Sequence, residues 1–222
     1  MRVCAATPMS SAANNNRSCM ALRSLVVGLL FGALSSITAS ATTVVPPEFP
    51  ELVNRADFIV RAVVVAVTPI AQTRPDGSSS IHSMVTLEVE KTIAGRVPNP
   101  LILDVLGGQI GDREVRVSGA PIYNVGDRAI FFVQGNGKQV HPLVRMMHGF
   151  YPVEREATSG RQYMVRANRE PLTDVSEVSQ PIAHGAEGTA GRSTAQIARA
   201  LSPDEFERKI TAQITSAHLR DR

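Results

Sequence analysis

Cysteine is almost absent from this chain of 222 residues, and both copies, Cys4 and Cys19, lie close to its start. The sequence after Ala41 contains none. That absence excludes disulfides, thiolate catalysis and cysteine-ligated zinc from the larger part of the chain. This part must be held together by its hydrophobic core alone, and about 130 ordered residues are enough for such a core.

Aromatic side chains are also scarce, since they make up 5% of the residues and tryptophan is missing. Proteins that bind single-stranded nucleic acid stack the bases on aromatic rings set among basic residues. The basic residues Arg61, Arg113, Arg116 and Arg128 are scattered and have no such interleaving. We therefore expect no nucleic-acid partner.

Basic and acidic residues are balanced in the chain after its first 41 residues. Arg2, Arg17 and Arg23 account for the whole formal charge of +3, because those 41 residues contain no acidic side chain. The remainder holds 20 basic and 20 acidic residues. A balanced chain creates no overall field that would attract nucleic acid or an anionic membrane.

A hydrophobic run long enough to cross a membrane is likewise absent near the start. Residues 20–41 combine Arg23, an apolar run of about 10 residues and a small-residue ending, Ala39-Ser40-Ala41, whereas a membrane span needs about 20 apolar residues. This pattern is typical of a secretory signal. It predicts a leader over residues 1–41, a true translation start at Met20 and cleavage after Ala41. The mature chain is then exported, to the periplasm or beyond, with no stable membrane anchor.

What the chain does contain is a series of short apolar segments between residues 42 and 172. Phe49, Leu52, Val53 and Ala56 have the spacing of one apolar stripe on a short helix. Residues 58–67 are apolar on both faces and predict a central strand, whereas residues 81–89 alternate and predict a strand with one face in water. Further strands are predicted at 100–106, 113–117, 128–133, 151–154 and 162–167. Short strands at this spacing favour a mainly β, antiparallel barrel or sandwich.

The composition changes after this domain. Residues 173–200 are rich in Ser, Gly, Ala, Gln and Pro, which predicts a flexible linker. Residues 201–218 predict a C-terminal amphipathic helix, in which Ser202 and Glu205 form a capping box and Leu201 meets Phe206. Phe206, Ile210 and Ile214 form a narrow apolar stripe, and we expect this stripe to cover the chain's own β domain.

No catalytic, cofactor-binding or metal-ligating residue is predicted. The histidines His82, His141, His148 and His218 form no HExxH motif, and His184 lies in the linker. His141 and His148 are seven residues apart, which places them on opposite faces of any continuous strand. The glycines of residues 107–111 precede a strand and not a helix, so they indicate a hairpin and not a phosphate site. Glu88 and Glu90 lie on the solvated face of their strand.

Four segments in this order carry a resemblance to a known family: ELVNRADFIVRAVVVAV, IHSMVTLEVEKTIAG, LILDV and NVGDRAIFFVQGNGKQVHPL. Over residues 49–145 the chain resembles the netrin-like module of the tissue inhibitors of metalloproteinases. The resemblance implies a five-stranded barrel of the oligonucleotide/oligosaccharide-binding type with a terminal helix packed on it. Those inhibitors bind the protease zinc through an N-terminal cysteine, whereas the predicted N-terminus here is Thr42. The inhibitory residues therefore do not carry over, and the resemblance extends to the fold alone.

Two functions follow from these observations. The favoured hypothesis is an exported, non-catalytic β-barrel module that binds a protein or a glycan, because the chain has an export signal and no catalytic motif. The alternative is a metal-dependent or other hydrolase whose site is assembled from His82, His141, His148 and carboxylates that meet only in the folded chain.

Overall fold

The computed structural model describes residues 45–73, 77–182 and 193–220. The predictions for the leader, for cleavage after Ala41 and for His184 lie outside these residues. The helices are α1 (Phe49–Arg55), α2 (Thr194–Arg199) and α3 (Pro203–Arg220), with 3-10 turns at Met146–Gly149 and Val175–Ser179. The strands are β1 (Phe58–Thr73), β2 (Ser79–Gly95), β3 (Leu101–Leu106), β4 (Gly108–Ile110), β5 (Arg113–Val115), β6 (Arg128–Val133), β7 (Phe150–Arg155) and β8 (Gln162–Met164).

Six of the strands form one antiparallel sheet in the order β3-β2-β1-β6-β7-β8, and β4 pairs with β5 in a small second sheet. The prediction of a mainly β, antiparallel fold with a short N-terminal helix and a C-terminal helix is confirmed. β1 lies between β2 and β6, as expected for a strand that is apolar on both faces. Within the described ranges, the strand pairing does not close into a ring.

Apolar side chains on the two faces of the sheet form two hydrophobic clusters. Alternate residues of β1 divide between them, since Ile59 belongs to the cluster under the helices whereas Val60 and Ala62 belong to the other. Register shifts after Ile59, Arg61 and Val64 interrupt the pairing of β1 with β2. Such bulges bend and twist a strand, so β1 can line both clusters along its length.

Helix α3 packs on the chain's own sheet, as its apolar stripe predicted. Phe206 and Ile210 are fully buried, and the Phe206 ring lies 5.1 Å from that of Tyr151 and 6.1 Å from that of Phe132, measured between ring centroids. The capping box is present, because the Ser202 amide donates to the Glu205 carboxylate and the Glu205 amide donates to Ser202 Oγ. The capping box and the buried side chains therefore agree on where α3 begins.

Ion pairs add to this docking at one side of the helix. Glu207 of α3 is 3% exposed and lies 2.9 Å from the guanidinium of Arg61 on β1. Lys91 of β2 contacts the same carboxylate, and Glu90 pairs with both Arg61 and Arg128. Because a buried carboxylate without a cation is costly, this cluster restricts how α3 can lie across β1 and β2.

The prediction of a flexible linker over residues 173–200 was wrong for the residues that the structure describes there. A 3-10 turn covers Val175–Ser179, with Val178 fully buried, and α2 covers Thr194–Arg199. Each begins with a capping box, in which Asp174 pairs with Glu177 and Ser193 with Gln196. The composition suggested too few apolar groups, but a single buried valine and two satisfied caps order these short segments.

Candidate functional site

The exposed side of β1, β2 and β3 carries a connected set of polar side chains. We call this surface the outer face and define it by Ile70, Gln72, Ser80, His82, Met84, Ile102 and Asp104. On β2 the opposite side is the core, since Ile81, Val85 and Leu87 are all buried there. The alternation predicted for residues 81–89 is therefore confirmed, and it turns His82 and Met84 toward the outer face.

His82 lies at the centre of this set, between a carboxylate and a hydroxyl. Its Nδ1 is 2.6 Å from Asp104 Oδ1, and its Nε2 is 3.1 Å from Ser80 Oγ. Ser80 and His82 share a face because they are two residues apart on β2. Asp104 reaches them from β3, where the register pairs it with Met84 and pairs Leu106 with His82.

Asp104 is held by two further neighbours. Gln72 Nε2 lies 3.3 Å from its second carboxylate oxygen, and the Asp104 amide donates to Asn136 Oδ1 over 3.0 Å. Asn136 also donates from Nδ2 to the carbonyl of Ile102. Asn136 thus satisfies two backbone groups on the edge of β3, as a neighbouring strand would. The carboxylate is thus contacted by His82 at one oxygen and by Gln72 at the other, while Asn136 holds the backbone of Asp104.

The carboxylate also determines which nitrogen of His82 carries the proton in its neutral form. An ionised carboxylate can only accept hydrogen bonds, so the neutral ring must donate to Asp104 from Nδ1. Nε2 then has a free lone pair, and that lone pair accepts the hydroxyl proton of Ser80. Acid, base and hydroxyl therefore stand in the order that nucleophilic catalysis by serine uses.

The other two histidines of the hydrolase hypothesis lie after β6. His141 and His148 are 5% and 2% exposed, His141 in the 134–142 loop and His148 in the 3-10 turn before β7. Neither ring nitrogen of His141 has a hydrogen-bond partner among the described residues, and burial lowers its pKa to about 4. Across residues 45–73, 77–182 and 193–220, no three His, Cys, Asp or Glu side chains are grouped to hold a metal ion.

Glu88 and Glu90 do not face a common cleft. Glu88 is exposed on β2, and Glu90 is engaged by Arg61 and Arg128. The glycines of residues 107–111 lead into the β4–β5 hairpin, as predicted. Gly108 is also needed for close packing, because a Cβ there would come within 2.5 Å of Ser83 Oγ.

An open groove of about 870 Å³ runs along α3, away from the outer face, between Lys91 and the helix residues Glu207, Thr211 and Leu219. Its walls carry small hydroxyl groups and no hydrogen-bonded histidine. The groove has room for a ligand. We nevertheless assign the candidate site to the outer face because the polar side chains there are linked and oriented by hydrogen bonds.

Sequence reasoning named His82 but missed Ser80 and Asp104. Two signals for them are present in the sequence. Ser80 precedes His82 by two residues on a strand, and Asp104 interrupts the apolar segment LILDVL. What the sequence does not contain is the register between β2 and β3, which decides whether these residues meet.

No helix among the described residues has both the length and the apolar composition that a membrane crossing requires. Comparison of the chain with protein-family models and with curated proteins gave no match.

Proposed function

We propose that the chain is an exported binding module and that its outer face contacts a protein or a glycan. The leader predicted for residues 1–41 supports export, and the balanced charge after Ala41 disfavours nucleic acid. The binding role itself needs no chemical step.

The observation that carries this proposal is the set of fixed polar groups on the outer face. Gln72, Ser80, His82 and Asp104 are half-buried and held by one another. Groups that are already oriented lose little conformational entropy when a ligand binds. They lie beside the apolar side chains of Ile70 and Met84, which the register places opposite or next to His82. A mixed surface of this kind offers hydrogen bonds together with apolar contact.

The shape of the surface favours a large ligand. The polar groups follow three neighbouring strands, so a protein segment or a glycan chain can touch several of them at once. Amide, carboxylate and hydroxyl side chains are also suited to pairing with sugar hydroxyls.

A charge placed on the outer face tests this proposal. The immobilised mature chain, residues 42–222, is presented to the exported fraction of the source cells and to a glycan array, as wild type and as Thr68→Arg/Gln72→Arg. The matched control is Ala157→Arg, which places the same charge on the exposed β7–β8 turn. We expect the double variant to weaken binding of a retained ligand at least roughly tenfold, about 1.4 kcal/mol, and the control to bind as wild type does. Equal binding by all three would refute the outer face as the contact surface.

A further inference from the structure

The outer face has a chemical capacity beyond binding. We propose that Ser80 is a nucleophile activated by His82 and Asp104, and that this face transfers acyl groups from carboxylic esters. The juxtaposition of the three side chains carries the inference, and it goes beyond the proposed binding role because it adds a covalent step.

The geometry meets the two distance conditions for an activated serine. The hydroxyl and the base must lie within about 2.6–3.2 Å, and a third group must orient the base. Ser80 Oγ lies 3.1 Å from His82 Nε2, and Asp104 Oδ1 lies 2.6 Å from His82 Nδ1. The same order of groups occurs on several unrelated folds, so it is identified by geometry and not by position in a sequence.

The side chains are also accessible enough to react. His82 keeps 15% of its side-chain surface exposed and Asp104 keeps 24%. Both side chains are half-buried, so each keeps some contact with solvent while it is partly shielded from water. Partial shielding strengthens the pairing of Asp104 with a protonated His82.

The reaction has two balanced halves. Ser80 Oγ attacks the ester carbonyl carbon while His82 Nε2 takes the hydroxyl proton. The carbon–oxygen bond to the leaving alcohol then breaks, and His82 returns the proton to that alcohol. In the second half, water attacks the acyl carbon while His82 Nε2 takes a proton from the water. The bond from that carbon to Ser80 Oγ then breaks, His82 returns the proton to Oγ, and the carboxylic acid leaves.

The oxyanion formed in each half needs a donor, and Gln72 is the residue we assign to it. Gln72 stands directly opposite Ser80 in the β1–β2 register. Its amide nitrogen carries two N–H groups, and the contact with Asp104 uses only one of them. The second N–H can turn toward a tetrahedral intermediate on Ser80, where one such donor contributes about a hundredfold or more in rate.

Ser80 is half-buried on a strand face, and this position indicates the substrate class. An ester carried on the surface of a large molecule, such as an acyl group on a glycan chain, can approach a strand face directly. The apolar side chains of Ile70 and Met84 lie beside His82 and can contact a short acyl group. The substrate class is therefore a short-chain carboxylic ester.

A fluorophosphonate probe and p-nitrophenyl acetate test this inference on the mature chain, residues 42–222. We expect covalent labelling of Ser80, located by peptide mass spectrometry, and hydrolysis of the ester. Ser80→Ala should abolish both, and His82→Gln should lower both by about a hundredfold or more. Ser79→Ala is the matched control, because Ser79 is an exposed serine of the same strand on the opposite face. It should react as the wild type does.

Gln72→Leu removes both the assigned oxyanion donor and the contact with the Asp104 carboxylate, and it should lower ester hydrolysis while leaving the chain folded. Circular dichroism of each variant checks the fold. A folded wild type that stays unlabelled, or a label on another residue, would overturn the inference. Ligand binding by Thr68→Arg/Gln72→Arg is measured in a separate experiment. A chain that binds a ligand but has an unreactive Ser80 is therefore distinguishable from a chain that neither binds nor reacts.

Discussion

Two buried or half-buried histidines of this chain differ in their surroundings, and the difference sets their roles. His82 is paired on both ring nitrogens, so its proton positions are fixed by Asp104 and Ser80. His141 is enclosed without a hydrogen-bond partner for either nitrogen in the described structure. A buried imidazole in such a place must stay neutral, because its charged form has no compensation. We therefore assign chemistry to His82 and a pH-dependent contribution to stability to His141.

The stability of the fold should fall in acid because of His141. Its pKa is about 4 in the folded chain, below its usual value of 6.5. As pH falls from about 6.5 to about 4, the unfolded chain binds a proton that the folded chain excludes, so the free energy of unfolding decreases by up to about 3 kcal/mol. Urea unfolding at several pH values measures this.

The variant His141→Leu removes the titrating group and should lose that part of the pH dependence. His218→Gln is the matched control, since it removes a histidine from the exposed surface of α3 and keeps His141. An unchanged slope between pH 6.5 and 4 in His141→Leu would show that other groups cause the acid sensitivity.

Among the secondary-structure elements, strands were predictable where a single pattern of apolar residues determines their position or their buried face. Residues 129–133 are apolar throughout and follow Arg128 in β6, and the alternation of residues 81–89 assigned the faces of β2 correctly. The linker over 173–200 failed because composition was weighed above local signals. Asp174 and Glu177, like Ser193 and Gln196, have the spacing of capping boxes and identify short ordered segments.

The docking of α3 depends on Phe206, which is fully buried against aromatic rings from α1, β6 and β7. Phe206→Ala should lower the free energy of unfolding by about 3–5 kcal/mol, because it removes apolar contacts and leaves a cavity. Thr215→Ala, on the exposed side of the same helix, is the control and should change it by less than about 0.5 kcal/mol. Denaturant unfolding measures both. Equal, small effects would mean that α3 does not support the core.

The 134–142 loop should protect the edge of β3 through Asn136. Asn136→Ala removes the acceptor for the Asp104 amide and the donor to the Ile102 carbonyl. Hydrogen exchange of the Asp104 amide should become roughly five- to tenfold faster, as the loss of about 1 kcal/mol implies. Lys138→Ala, an exposed change in the same loop, should leave that rate unchanged. Unaltered exchange in Asn136→Ala would show that this contact does not hold the edge.

Considered as a whole, the described part of the molecule is built on one main sheet. The part of the chain after Ala41 is charge-balanced and free of cysteine. Its described residues have a large hydrophobic cluster on each face of the main sheet and a small third one around Tyr163, Val165 and Ala200. The fold class was predictable because most strands carried their own pattern of apolar residues, although β4 was not predicted as a strand. The site was not, because Ser80 and Asp104 are 24 residues apart in sequence and meet only through the register of β2 and β3.

The predicted cleavage after Ala41 can be tested by sequencing. N-terminal sequencing of the chain recovered outside the cytoplasm should give Thr42 as the first residue, because Ala39-Ser40-Ala41 precedes it as a cleavage motif. Peptides from the unprocessed precursor should begin at Met20. Recovery of precursor peptides that contain Arg2 or Arg17 would contradict the start at Met20, and an uncleaved exported chain would contradict the signal.

Asp104 fixes His82 so that Nε2 faces Ser80. Nitrogen-15 NMR of the histidine rings measures this arrangement, since the two nitrogens have distinct shifts when only one is protonated. Neutral His82 should carry its proton on Nδ1 in the wild type and lose that preference in Asp104→Ala. A proton on Nε2 of the neutral wild-type ring, or a spectrum that Asp104→Ala leaves unchanged, would contradict it.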